Sequence, residues 1–458
     1  MALKVIKTVR VSPATNSSSD SVDSFNLPLT FFDLRWLKFQ PIQRVIFYKL
    51  TEPTRESFYS LILPKLELSL SLVLHHYLPI AGRLVWDPQD PKPYISVSKH
   101  DTMSLTVAET NADFFLVSGN GLRPAIELHP LVSELTVSDD SASLFSLQIT
   151  LFPNQGICIG FTVNHAFLDG KSSAMFIKSW AHICRLEEHN QVIDFPLLPN
   201  YLTPSFDRTV INVQRELESK TMELLLYLSK DSGNFKSLKP PPISEMSSDV
   251  VRATLELTAE NIEKLRERAK KDSTLSPLDL HLSTFVIAYA YAWTCAVKAR
   301  GGNTNRPVRL RYAADFRQRL DQVPAEYVGN CVLTIGWVEY EARVFLEEDG
   351  FIKAVEVISD SVKGLDSRGI ESLCEDYVEG RKNLIPGTQF GSVVGSTRLG
   401  MYEADFGWGR PTKTMVLSTE EFSMSERRDG AGGVEMGVCL KKSEMEIFLS
   451  LFSSGLSD

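Results

Sequence analysis

Ile157-Cys158-Ile159-Gly160-Phe161-Thr162-Val163-Asn164-His165 is the most informative run in the chain, and Ala166-Phe167-Leu168-Asp169-Gly170 follows it. On a strand, alternate side chains share a face, so His165 falls on the side of Ile157, Ile159, Phe161 and Val163 and ends that apolar face. Upstream, Leu144–Phe152 is a second β-rich run, and Pro153-Asn154-Gln155-Gly156 between the two has the chemistry of a hairpin turn. Downstream, Ser172–Arg185 carries Phe176, Ile177, Trp180, Ile183 and Cys184 on one helical stripe, with Asp169 or Ser172 available as its cap. A histidine at a strand end, facing apolar side chains, can be held in one tautomer and partly desolvated. That is what a general base working near neutral pH requires. The plainer reading is a structural histidine bonded to backbone. A metal is disfavoured, because His-x-x-x-Asp broken by a glycine turn does not place two ligands on one helical face, and no third ligand lies nearby in sequence. No G-x-S-x-G elbow suggests a serine nucleophile.

The chain has 458 residues with 48 Lys+Arg against 57 Asp+Glu, a formal net charge of −9. Length predicts more than one domain, and the balance of 43% hydrophobic to 23% charged residues is that of a globular protein. An acidic chain with no basic run is not expected to bind nucleic acid. The global charge says nothing of a local pocket for an anion. Cys158, Cys184, Cys295, Cys331, Cys374 and Cys439 are scattered, with no C-x-x-C pair, so neither a disulfide framework nor a zinc site is indicated. Met1–Arg10 lacks the apolar core of a signal peptide, and the longest apolar run, Phe285–Val297, is too short to cross a bilayer. The expectation is a cytosolic monomer that does not sit in a membrane.

A Ser-rich stretch, Ser12–Ser24, reads as a loose surface segment containing the sequon Asn16-Ser17-Ser18. Phe58–Tyr77 is ambiguous between a strand, with leucines at every second position from Leu66 to Leu74, and a helix with Leu63, Leu66, Leu70, Val73 and Tyr77 on one face. Length favours the helix, ended by Pro79 and Gly82. Residues 186–250, with the block Lys239-Pro240-Pro241-Pro242, show little apolar periodicity beyond Met222–Leu228 and read as a crossover. After it come a strand Val251–Leu257, a charged helix capped by Thr258 and running through Lys271, a buried helix Leu282–Val297, strands at Met415–Leu417, Phe422–Ser425 and Glu435–Lys441, and a last helix or strand near Glu444–Phe452. The fold class predicted is α/β, mixed sheets with helices, in two lobes spanning 1–205 and 206–458.

Two further motifs carry less by themselves. Asp405-Phe406-Gly407-Trp408-Gly409 begins like a kinase Asp-Phe-Gly, but no H-R-D loop or G-x-G-x-x-G accompanies it. Two glycines around a Trp suggest a tight loop packed on a large ring. Asp315-Phe316-Arg317-Gln318-Arg319, followed by Tyr327-Val328-Gly329-Asn330-Cys331, places in Arg317 a planar fork that could meet a buried carboxylate.

Taken together, these residues resemble the plant BAHD acyl-CoA-dependent acyltransferases over nearly the whole chain. Leu27-Pro28-Leu29-Thr30-Phe31-Phe32-Asp33 and Tyr77-Leu78-Pro79-Ile80-Ala81-Gly82-Arg83-Leu84 look like that family's first two blocks, His165–Asp169 like its H-x-x-x-D motif and Asp405–Gly409 like its D-F-G-W-G motif. Tyr327–Cys331 is similar to the Y-F-G-N-C motif of the anthocyanin and flavonoid branch, with Val328 departing. Leu168–Lys171, Phe176–Trp180 and Thr203–Arg208 look most like malonyltransferases of phenolic or flavonoid glucosides. The resemblance implies two similar-sized lobes of the chloramphenicol-acetyltransferase type with a channel between them, the first carrying His165 and the second Asp405. It also implies an acyl-CoA co-substrate, most simply malonyl-CoA, a phenolic glycoside acceptor, and no tightly bound cofactor or metal. His165 would be the general base, with Asp405 counted among the functional residues. Asp169 would pair with Arg317 to fix the His165 loop, and Phe406, Gly407, Trp408 and Gly409 would be structural. CoA phosphates need local cations, for which Arg266, Arg268, Lys270 and Lys271 are candidates, a solvated helix face being the alternative. A malonyl carboxylate would need one more, from Lys171, Lys178 or Arg398. Acetyl-CoA or hydroxycinnamoyl-CoA would serve the same chemistry, and a non-catalytic binder is the other reading.

Overall fold

A computed structural model describes residues 1–15, 24–51, 54–186, 196–213, 215–228, 236–241, 249–418 and 421–456. The sequon and parts of the Ser-rich stretch and of the crossover lie outside these residues. The predicted hairpin forms: Phe145–Phe152 pairs antiparallel with Gly156–Val163, and Asn154 turns the chain at φ +62°. Both strands are buried on both faces. They are central in a six-stranded sheet ordered Lys4–Val11, Met103–Glu109, Phe145–Phe152, Gly156–Val163, Ile42–Lys49, Lys413–Val416. Gly160 is needed here, because a Cβ would stand 1.9 Å from the Leu131 carbonyl oxygen that crosses the strand.

The ambiguous segment is helical, Leu63–His76, with Leu63, Leu66, Leu70, Val73 and Leu74 buried against Gly170–Leu186 in the first core. Its period-two leucines are a by-product of a helix with apolar residues on most of its circumference. With the turns before it, Arg55–His76 is long and apolar enough by composition to match a membrane span. The second core surrounds Thr284–Arg300, buried almost throughout, and rests on an eight-stranded sheet that includes Val250–Leu257, Pro307–Asp315, Gln389–Ser396, Phe422–Ser425 and Val434–Lys441. Thr294 inside that helix gives its hydroxyl to the Ala290 carbonyl, 2.8 Å away, so its burial leaves no polar atom unpaired. Thr258 caps the helix Ala259–Asp272 with a full capping box.

The two cores exchange segments. Lys413–Val416 adds to the first sheet by pairing with Ile42–Lys49, and Arg123–Pro124 pairs with Val250–Leu257 in the second. Leu399, Met401, Ala404 and Phe406 are buried in the first core, while Phe31 and Phe32 are buried in the second.

Candidate active site

His165 lies two residues beyond the end of the Gly156–Val163 strand and is half-buried. The turn that carries it is closed by the Asn164 amide donating to Leu144 O (2.8 Å) and the Phe167 amide donating to Asn164 O (3.0 Å). Its ring lies parallel to the indole of Trp36, centroids 3.9 Å apart and planes 3° from parallel, with the Phe39 ring edge-on at 6.4 Å. Nδ1 is buried without a hydrogen-bond partner, which leaves Nε2 as the nitrogen able to meet a substrate. Loss of hydration pushes the imidazole down to about 4, against smaller opposing effects of its own backbone, of Asp169 and of the Asn330 side chain. At neutral pH the ring is therefore in its proton-accepting form.

Asp169 is 1% and Arg317 3% exposed, and the structure brings them together: Arg317 Nη1 lies 2.8 Å from Asp169 Oδ2. Asp169 Oδ2 also accepts from the Cys331 amide (3.1 Å), and Oδ1 accepts from the Ser172 amide (2.9 Å), so Asp169 caps the helix Gly170–Leu186. Burial alone would raise this carboxyl, but Arg317 and the two amides outweigh it and hold it below the ordinary aspartate value. Arg317 Nη2 donates to Ser172 Oγ (3.0 Å) and Gly329 O (2.9 Å), and Nη1 also reaches Asp315 at 3.2 Å. One guanidinium thereby ties the His165 loop to the segment 327–331.

Sequence reasoning missed the residues on the other side of His165. Asn330 Nδ2 donates both to the His165 carbonyl (2.8 Å) and to Asp33 Oδ1 (3.0 Å), while Thr30 caps the other Asp33 oxygen. Asp33 and Asn330 are fully buried. Arg208 donates to Tyr327 Oη (2.6 Å) and Val328 O (3.0 Å) from beneath the same segment. Each lies inside a block already matched to a family, yet no local pattern marks two buried amide and carboxylate groups far apart in sequence as partners.

Asp405 Oδ1 accepts the amides of Gly407 and Gly409, both at 2.9 Å and both glycines at positive φ, so these two bonds serve its own loop. Phe406 packs edge-on against Trp180 (4.8 Å) and Tyr48 (5.6 Å), and Trp408 stacks on Phe406 at 5.7 Å. Arg266 pairs with Glu263, Arg268 with Asp272 at 3.9 Å and Lys270 with Glu267 at 2.6 Å, all within one helix, while Lys271 is exposed. Lys178 faces Glu403 at 3.4 Å, and Arg398 is exposed. All six cysteines are buried and none of them forms a disulfide, and no cluster of metal-capable side chains occurs among the described residues.

A family model described as the transferase family matches residues 1–454. Across 99% of both chains this protein is 57% identical to a BAHD acyltransferase of Arabidopsis thaliana. It is 53% identical to phenolic glucoside malonyltransferase 2 of the same plant over the full length of both chains, and 54% identical to its agmatine coumaroyltransferase over 99% of each. Among solved structures, vinorine synthase has a TM-score of 0.69 at 19% identity over 98% of both chains, a likeness of fold. A buried strand delivering an uncharged histidine, a loop clamped from the other core and this full-length match agree: the chain belongs to the BAHD acyltransferases of the transferase family, and it is an acyl-CoA-dependent acyltransferase.

Proposed function

We propose that this protein moves a malonyl group from malonyl-CoA to a sugar hydroxyl of a phenolic glucoside, flavonoid and anthocyanin glucosides included, with His165 as the base. The observation that carries the base assignment is the place of His165, half-buried beside a loop that Asp169, Arg317 and Asn330 tie to the second core, with its pKa pushed down to about 4 by burial. The malonyl donor is supported by the full-length likeness to phenolic glucoside malonyltransferase 2. A sugar hydroxyl is too weak an acid to ionise first. His165 Nε2 takes its proton as the oxygen bonds to the thioester carbonyl carbon, giving a tetrahedral oxyanion. The oxyanion collapses, the C–S bond breaks, and the imidazolium returns its proton to the CoA thiolate. Ester and free thiol are the products, and no acyl-enzyme forms.

A second reading has its own support: agmatine coumaroyltransferase is as similar as the malonyltransferase, so coumaroyl transfer to an amine uses the same site. Free-thiol release over malonyl-, acetyl- and coumaroyl-CoA, crossed with phenolic glucosides and agmatine, separates the two. Turnover with malonyl-CoA and a glucoside is expected; turnover confined to coumaroyl-CoA and agmatine replaces this donor and acceptor. Thiol release that persists in His165→Ala removes the mechanism.

A further inference from the structure

Among the described residues no carboxylate is hydrogen-bonded to the His165 ring. Its Nδ1 is unpartnered, and the oxygens of Asp169 are taken by Arg317, Cys331 and Ser172. What the imidazole does meet is the face of Trp36, in parallel contact at 3.9 Å. That indole is held at two points, and the backbone beside it is anchored by Arg35. Its Nε1–H donates to Val332 O (3.3 Å) at the start of a strand of the second sheet, the Phe39 edge packs on it at 4.7 Å, and the neighbouring Arg35 guanidinium lies 3.8 Å over the Tyr377 ring. The indole is buried and its orientation is set by these contacts rather than by His165.

We infer that Trp36 is a positioning residue for His165: its π face holds the imidazole in place and stabilises the imidazolium formed when the acceptor's proton moves to Nε2. An aromatic face attracts a cation through its quadrupole and attracts a neutral ring far less, so the interaction grows along the reaction coordinate. No electron passes to the indole; the O–H pair goes into the new C–O bond. The other charges near His165 are Asp169 on its own loop, answered by Arg317, and Asp33, reached through Asn330. All keep their places when only the indole is changed. The inference rests on His165 being the base.

Site-specific replacement of Trp36 by 5-fluoro-, 5,7-difluoro- and 5,6,7-trifluorotryptophan weakens the quadrupole while leaving the shape nearly unchanged. Expected are a stepwise fall in kcat of about tenfold across the series and a shift of the acid limb of the kcat profile to lower pH. KM and melting temperature stay constant. Trp36→Phe, a weaker face, should stay faster than Trp36→Leu. A flat series in an enzyme that His165→Ala inactivates overturns the role of Trp36 and leaves the base in place. Activity surviving in His165→Ala overturns the base on which it rests.

Discussion

Replacing Arg317 with Met keeps the length of the side chain and removes the guanidinium that bridges the two cores. The Asp169 carboxylate would then be left buried, with the Ser172 and Cys331 amides as its remaining partners. Breaking a buried ion pair from one side costs about 3–5 kcal/mol, because the surviving charge is stranded. Asp169→Asn is milder and its direction can be worked out. One oxygen faces the single Ser172 amide; the other faces two donors, Cys331 N and Arg317 Nη1. An asparagine will turn its NH2 toward Ser172, losing the cap of the helix Gly170–Leu186 at about 1 kcal/mol. It also weakens a charge-assisted bond to Arg317 worth about 1.5–3 kcal/mol. The sum is about 2–4 kcal/mol. The double variant should cost less than the two singles together, since each removes the same contact; a coupling of about 2 kcal/mol is expected. Urea unfolding followed by tryptophan fluorescence gives the stabilities, and thiol release per folded molecule gives kcat. An Arg317→Met enzyme within about 0.5 kcal/mol of the parent, with kcat intact, would show that this pair does not hold the His165 loop.

Because burial pushes His165 down to about 4, the ring stays unprotonated through the whole range above that value, and the acid limb of kcat/KM should lie near 4. An acid limb near 6.5, the ordinary histidine value, would mean that the imidazole is hydrated. Asn330→Ala removes a side chain that bonds both Asp33 and the His165 carbonyl, and kcat should drop by about one to two orders of magnitude with KM for the donor little changed; loss of donor binding instead would place Asn330 elsewhere in function. Asp405→Ala deletes two amide hydrogen bonds from its loop and should lower stability by about 1–3 kcal/mol while kcat per folded molecule stays within twofold. A large loss of kcat in a stable Asp405→Ala protein would make that aspartate part of the reaction.

The local elements were legible because each is written in consecutive residues. The hairpin is two β-rich runs around Pro153–Gly156, and the Thr258 capping box needs only Thr258 and Asn261. Placement was not legible in the same way. Met415–Leu417 reads as a strand, but nothing in its alternation says that it will pair with Ile42–Lys49 across the molecule. Arg317 was found as a partner for Asp169 only through a family likeness, since a buried Arg and an exposed one look alike in a sequence. The same blindness hides Asp33 and Asn330. Arg266, Arg268 and Lys270 form a basic helix end in the sequence, and only the structure shows that each faces an acid three or four residues away along the same helix.

A base depressed to about 4 raises a question that the geometry answers. Relative to imidazole in water, protonation of His165 is harder by roughly 3 kcal/mol at 1.36 kcal/mol per pKa unit. If the enzyme had to form a free imidazolium in its resting site, that would be a handicap. The proton arrives, however, only while the acceptor oxygen is bonding to the thioester carbon, when that oxygen is turning from a very weak acid into a strong one. At that moment the imidazolium faces an indole worth up to about 2 kcal/mol to a desolvated cation. The same low-dielectric surroundings that keep the resting ring neutral strengthen that attraction. Burial thus keeps His165 unprotonated at neutral pH, while Trp36, stacked on the ring in the resting site too, offsets part of the cost of the imidazolium that proton transfer makes.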